Sequence, residues 1–252
     1  MQPLQLLSRK YFNAYSKSVS IRIDVSKNIS LKNFERFISV ASVTSSQIEG
    51  SSTDVNSFFR KKELKKKDHE TRDIENLIAA YKFAAANTIS RTNILKAHKI
   101  LSKGFLENIH CGKFRKGSVF VVNQRTGELV YAAADAKIVN REVKKLLSDI
   151  TFLLAQKLTT KESFYFASLI HLWFAKIHPY NDGNGRAARL LEKWFLSSAI
   201  GEVAWSIPAE VYYWENRPAY YKNLALIGTD YESLNWNKCA SFLNMLPNSL
   251  RL

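Results

Sequence analysis

The sequence predicts an all-α protein carrying one small β-hairpin, and three observations lead there. Apolar residues recur at the three-and-four spacing of amphipathic helices over most of the chain. Gly and Pro are scarce, at 9 and 5 of 252 residues, while Leu, Ala, Lys and Phe are abundant. Between Gly112 and Tyr131 alone the pattern changes to alternating, β-branched residues around a Gly-bearing turn, the signature of a hairpin. A hydrophobic content of 46% is enough for one large core or a core with an attached lobe.

Taken in order, the opening residues to about Asn28 show little periodicity and read as extension or a short helix. From Ser30, a candidate N-cap, a helix runs toward Ile48 with Phe34, Phe37, Ile38, Val40 and Ala41 on its apolar stripe and Gly50 at its end. The run Arg60 to Lys67 reads as a solvated linker or helix face, with contact to an acidic partner as the other reading. Helices follow over Asp73 to Ala86 and Thr92 to Leu101. His98 and His110 have no acidic or Cys neighbours at metal spacing, so core or surface roles are expected for them. After the hairpin come an amphipathic helix over Ile138 to Leu154, a nearly all-round apolar helix through Phe164, Leu169, Trp173 and Ile177, and another opening at Arg186 and running through Leu190, Leu191, Trp194 and Phe195.

Between the last two helices lies the stretch built for chemistry, His178-Pro-Tyr-Asn-Asp-Gly-Asn-Gly-Arg-Ala-Ala-Arg189. Its loop feeds a helix N-terminus, where unpaired N–H groups and the helix dipole favour an anion such as phosphate. Gly183 and Gly185 let the backbone approach that guest, and Arg186 and Arg189 can grip phosphate oxygens. Asp182 is a hard oxygen ligand suited to Mg²⁺. His178 remains as proton acceptor, with an ordinary pKa near 6.5 that leaves a neutral fraction at cell pH. The constellation reads as phosphoryl or nucleotidyl transfer from a metal-bound nucleotide.

This stretch resembles the signature of the Fic (filamentation induced by cAMP) family, His-x-Phe-x-(Asp/Glu)-Gly-Asn-Gly-Arg-x-x-Arg, with Tyr180 standing where Phe is usual. The resemblance implies a Fic-fold helical bundle with a hairpin flap, acting as a protein adenylyltransferase. In that role His178 deprotonates a Ser, Thr or Tyr hydroxyl, Asp182 holds Mg²⁺, and Gly183, Asn184, Gly185 and Arg186, with Arg189, hold the phosphates of ATP. Ser45-x-x-x-Glu49-Gly50 is similar to the family's inhibitory motif, which implies that Glu49 pairs with Arg186 and obstructs the terminal phosphate. Ser45 and Glu49, four apart, share a helix face. In the flap, Val121, Val122 and Asn123 are expected to align the target segment by strand addition. The family's Pro-rich stretch after the flap is replaced here by Ala132-Ala-Ala-Asp135. By their place in a later helix, Tyr220, Tyr221 and Asn223 are candidates to border the adenine, with aromatic core packing the other reading for one of the tyrosines. The implied division is an N-terminal helical region at 1–90, carrying the inhibitory helix, and a Fic core at 91–252.

A formal charge of +15 suggests acidic partners without choosing among them. Two cysteines, Cys111 and Cys239, no leader pattern at the start and no apolar run of membrane-spanning length fit a cytoplasmic protein. The expected function is AMP transfer from ATP, with Mg²⁺, to a target protein docked on the flap, with self-modification and self-association compatible with it. Alternatives are a Fic-fold enzyme transferring phosphate or another nucleotide or removing AMP, and a basic nucleic-acid-binding protein whose loop is inert.

Overall fold

A computed structural model describes residues 8–65, 68–122 and 127–252. The elements run α1 (Phe12–Ser18), α2 (Leu31–Ile48), α3 (Val55–Glu63), α4 (His69–Ala85), α5 (Arg91–Leu101), β1 (Phe120–Val122), β2 (Leu129–Ala132), α6 (Ala136–Leu154), α7 (Thr160–Ile177), α8 (Asn184–Ile200), α9 (Ala209–Glu215), α10 (Arg217–Ala225), α11 (Ala240–Leu243) and α12 (Met245–Asn248). Helix starts follow local chemistry. Ser30, Asp54, Asp68 and Ser90 each accept a backbone N–H three residues on, and Thr159 forms a reciprocal capping box with Glu162.

Helix α7 is the centre of the bundle, buried without a break from Ser163 to Leu172, and α8 packs along it, buried from Ala187 to Leu196. Helices α2, α4, α5 and α6 close around this pair. Buried residues from both sides of residue 90, among them Ile38, Ile48 and Leu77 with Ile94, Phe166 and Phe195, form one apolar cluster. A smaller cluster of Val43, Phe58 and Ile74 holds α3 between α2 and α4. Sequence periodicity did not reveal α3. Its C-terminal half is part of the basic run, and one buried ring, Phe58, fastens it.

The hairpin is antiparallel, with Phe120 opposite Ala132 and Val121 opposite Tyr131, and a register shift between Val121 and Val122. Phe120, Val122, Leu129 and Val130 are exposed, while Tyr131 is buried against the body. Val121 is half-buried. Asn123 lies outside the described residues.

One charged contact fixes α8 against α9. Lys193 Nζ lies 2.6 Å from Glu210 Oε2, both side chains almost fully buried, and Tyr81 on α4 donates to the same carboxylate at 2.6 Å. Lys193 also donates to Ile207 O at 2.9 Å. Removing one partner of such a pair strands the other charge in the core, so Lys193→Met should cost about 3 to 5 kcal/mol. Adding Glu210→Leu should recover a large part of that loss, and urea unfolding of the two variants beside wild type measures both.

Candidate active site

The site lies where α7 ends and α8 begins. His178 is the C-cap of α7 and takes a left-handed backbone, φ 51°, a conformation that costs a non-glycine residue energy and persists only when neighbours over-determine it. Its Nδ1 lies 3.1 Å from Ala175 O. A carbonyl can only accept, so Nδ1 carries the hydrogen and Nε2 keeps a free lone pair. Burial, together with the charge of Arg115, holds the imidazole below its ordinary pKa against the opposing pull of Glu49 and Asp182. It is therefore neutral at pH 7 and able to take a proton.

The loop beyond is braced from inside. Asn184 bridges to Tyr180, accepting its N–H at 2.8 Å and donating to its carbonyl at 2.9 Å. The Tyr180 ring is buried and stacks on His98, with centroids 3.5 Å apart and planes 9° apart, and its hydroxyl, the departure from the usual Phe, donates to Ile94 O at 3.2 Å. His98 holds both sides of the turn: Gly112 N–H donates to Nδ1 at 3.0 Å and Nε2–H donates to Asp182 O at 2.9 Å. The core role expected of His98 is thus a support for the loop.

Gly183, at φ 77°, is the N-cap of α8, and no side chain among the described residues caps this end. The first-turn N–H groups are left for a ligand. Asp182 is exposed, with Oδ1 accepting Gly183 N–H at 2.6 Å. The Arg186 guanidinium stacks over Phe105, 3.6 Å from the ring centroid, and its Nε is buried without a hydrogen-bond partner among the described residues. Arg189 lies deeper, its side chain 1% exposed.

Glu49, the C-cap of α2, reaches into this space, and here the sequence expectation is corrected. The carboxylate pairs with Arg189, Nη2 to Oε1 at 2.7 Å, and not with Arg186. Arg189 also donates to Ser45 Oγ at 2.8 Å and Ser45 O at 3.1 Å. One helical turn further into α8 than Arg186, Arg189 faces the turn of α2 that ends at Glu49, whereas Arg186 is turned toward Phe105. Burial would raise the Glu49 pKa, but the two arginines, Arg189 foremost, outweigh it and hold the carboxyl below its usual range. The carboxylate lies so close over Gly185 that a Cβ there would collide with it. Glu49 thus sits at the helix N-terminus where an anionic guest would bind.

The adenine candidates are dispersed. Tyr220 is buried, its hydroxyl accepting from Arg189 Nη1 at 3.2 Å and bonding His171 Nε2 at 3.0 Å. Tyr221 is 42% exposed and its hydroxyl donates to Ile48 O at 2.9 Å, on the last turn of α2. Half-buried Asn223 approaches Ser241 O at 3.4 Å. Sequence reasoning missed Arg115, Phe105, His171 and the loop-bracing role of His98. All four act through tertiary contacts that no local spacing encodes.

The buried His98 gives a pH test. Burial, aided by the nearby charge of Arg186, pushes its imidazole down to about 4. The folded protein therefore refuses a proton that the unfolded chain accepts below about 6.5, so His98 erodes stability progressively from pH 6.5 to 4 and has no effect above. Across that interval wild type should lose on the order of 3 kcal/mol more than His98→Phe, a difference read from urea midpoints at each pH.

Known proteins resemble this chain in sequence and in fold. Residues 88–196 match the family model described as Fic/DOC family. The protein adenylyltransferase Fic of Aedes aegypti is 26% identical over 165 residues, covering 62% of this chain and 29% of that protein, and its Drosophila erecta counterpart is 25% identical over 162 residues with the same coverage. The chain thus spans less than a third of the length of these curated relatives. Among solved structures, a Fic family protein from Desulfovibrio desulfuricans superposes with a TM-score of 0.70 at 19% identity, covering 96% of this chain and 70% of that one. A Fic domain containing signaling protein from Bacteroides thetaiotaomicron gives 0.69 at 17% identity, covering 96% and 93%. The helical fold with its small hairpin is the Fic fold, and within it residues 88–196 match the Fic/DOC family.

Proposed function

We propose that the protein transfers AMP from ATP to a hydroxyl of a protein substrate and that Glu49 restrains this reaction through Arg189. The observation that carries the proposal is the meeting of an imidazole with a free Nε2 and an uncapped helix N-terminus bearing two arginines. The adenylyltransferase names of the Aedes and Drosophila relatives supply the nucleotide and the group transferred. His178 Nε2 takes the hydroxyl proton as that oxygen attacks the α-phosphorus. The bond to the bridging oxygen breaks, and pyrophosphate leaves toward the first-turn N–H groups of α8 and Arg186.

Asp182 fits a role in holding Mg²⁺. Its carboxylate is exposed at the loop, and no group of three or more acidic, His or Cys side chains gathers among the described residues, so phosphate oxygens would complete the coordination. The ion would neutralise charge on the polyphosphate. The exposed apolar residues of β1 and β2 are the surface on which a target segment would add as a strand. No helix among the described residues is long and apolar enough to cross a membrane.

With Glu49 in place, the terminal phosphate of ATP would meet a carboxylate already bound to Arg189. Glu49→Gly removes the competitor and frees a charge-assisted contact of roughly 1.5 to 3 kcal/mol, or about ten- to a hundredfold in transfer rate. Self-labelling with tagged ATP should rise by that factor in Glu49→Gly and vanish when His178→Ala is added, with a mass increment equal to AMP. Equal labelling by wild type and Glu49→Gly would reject the restraint, strong labelling by the double variant would reject His178 as base, and a phosphate increment would reject AMP as the group moved.

A further inference from the structure

We propose that Arg115, together with Tyr131, is a positioning device that fastens both roots of the hairpin to the backbone of His178, so that the base and the docked hydroxyl are held as one unit. The proposal rests on the transfer reaction above.

The last four carbonyls of a helix have no partners within it and must find them elsewhere. At the end of α7 each has one. Phe174 O accepts the His178 N–H at 3.0 Å, and Ala175 O pairs with the His178 ring at 3.1 Å. Lys176 O accepts the Tyr131 hydroxyl at 2.8 Å, and Ile177 O accepts Arg115 Nη2 at 3.3 Å. Two of the four partners therefore come from the hairpin and the segment leading into it.

Arg115 does more than cap. It is only 3% exposed, and Nε donates to the carbonyl of His178 itself at 2.8 Å. Nη1 donates to Gly117 O at 2.8 Å, ahead of β1, and Nη2 also donates to Ala134 O, just after β2. Its own N–H donates to Pro179 O at 2.9 Å. A planar fork of five N–H donors is the side chain able to join three separate backbone segments at once, and a lysine ammonium could satisfy only part of the set. No carboxylate forms a hydrogen bond with it among the described residues, so its charge is spent on carbonyls that set the position of one loop and one hairpin. The left-handed backbone of His178 needs such over-determination.

The test uses the full chain carrying Glu49→Gly, with Arg115→Lys, Arg115→Gln or Tyr131→Phe added. Hydrogen exchange is read at the hairpin roots and at residues 175–180, ATP affinity and melting temperature are measured, and AMP transfer is followed against substrate concentration. Arg115→Gln should speed exchange at both roots and at the end of α7 while α2 and α8 stay protected. ATP affinity should stay within about twofold, and kcat/KM for the protein substrate should fall about 10- to 100-fold, the scale of a misplaced reacting group. Arg115→Lys should lie between wild type and Arg115→Gln, and Tyr131→Phe, which removes a single hydrogen bond, should show the same pattern more weakly.

Unchanged exchange at the hairpin roots would overturn the proposal. So would a parallel fall of ATP affinity, melting temperature and transfer, which marks a residue that only stabilises the fold. A Glu49→Gly parent that transfers nothing would instead defeat the reaction proposed above, and the exchange pattern would still decide whether the hairpin and His178 are mechanically joined.

Discussion

Arg189 carries a full positive charge at 1% exposure, and much of the arrangement around it follows from that. A buried guanidinium must have its charge answered and its donors satisfied, since leaving either undone costs several kcal/mol. Its donors go to Ser45 Oγ, Ser45 O, Glu49 and the Tyr220 hydroxyl. Tyr220 continues into His171, and His171 Nδ1 lies 2.9 Å from Glu192, which also accepts from Tyr213. One connected polar network thus runs from the end of α2 through α8 into α7, α9 and α10. It accounts for Ser45 among the buried polar residues of the last turns of α2. Thr44 returns its hydroxyl to Val40 O, and Ser45 serves Arg189.

The loop next to this network is held in a conformation it would not choose alone. His178 in the left-handed region stores strain of the order of 1 to 3 kcal/mol. The surroundings repay it through Asn184 on Tyr180, His98 on Tyr180 and Asp182, and Arg115 on the His178 carbonyl. The Tyr hydroxyl that distinguishes position 180 from the usual Phe finds Ile94 O at the edge of the same pocket, so the departure from the signature leaves the ring where it is needed. The chemistry-bearing part lies beside these braces: Nε2 of His178, the exposed Asp182, and the start of α8, which no side chain among the described residues caps.

The sequence exposed some of this and hid the rest for physical reasons. The ends of α2 were legible because Ser30 and Gly50 mark them, and α7 was legible because a helix apolar on all sides must be central. His178 and the residues of its loop were legible because their roles depend on separations of a few residues along one chain. The partner of Glu49 was not. Arg186 and Arg189 are three apart, both suit a carboxylate, and the choice depends on how α8 is rotated against α2, a property of packing between helices rather than of either one. Arg115 looked like one more cation in a chain of +15, because its acceptors are backbone carbonyls and carbonyls leave no trace in composition. Which of Tyr220 and Tyr221 packs in the core was hidden because a short helix with almost no apolar face gives no hint of which side turns inward.

Because Arg189 is buried, the proposed reading links the departure of Glu49 to the arrival of an anion. Moving α2 away would strip the guanidinium of the Glu49 carboxylate and of both Ser45 contacts, leaving it with the Tyr220 hydroxyl. In the proposed reading, an open enzyme without nucleotide is therefore costly, and a polyphosphate that reaches Arg189 offsets that cost by replacing the carboxylate. A ligand shifts a two-state equilibrium only by its differential affinity for the states, and here the difference is built into one buried charge. Tyr221 adds a second tie: its hydroxyl on Ile48 O binds α10 to the last turn of α2, so moving that turn would break this bond as well. Restraint, in the proposed reading, would come from offering one buried cation two alternative anions.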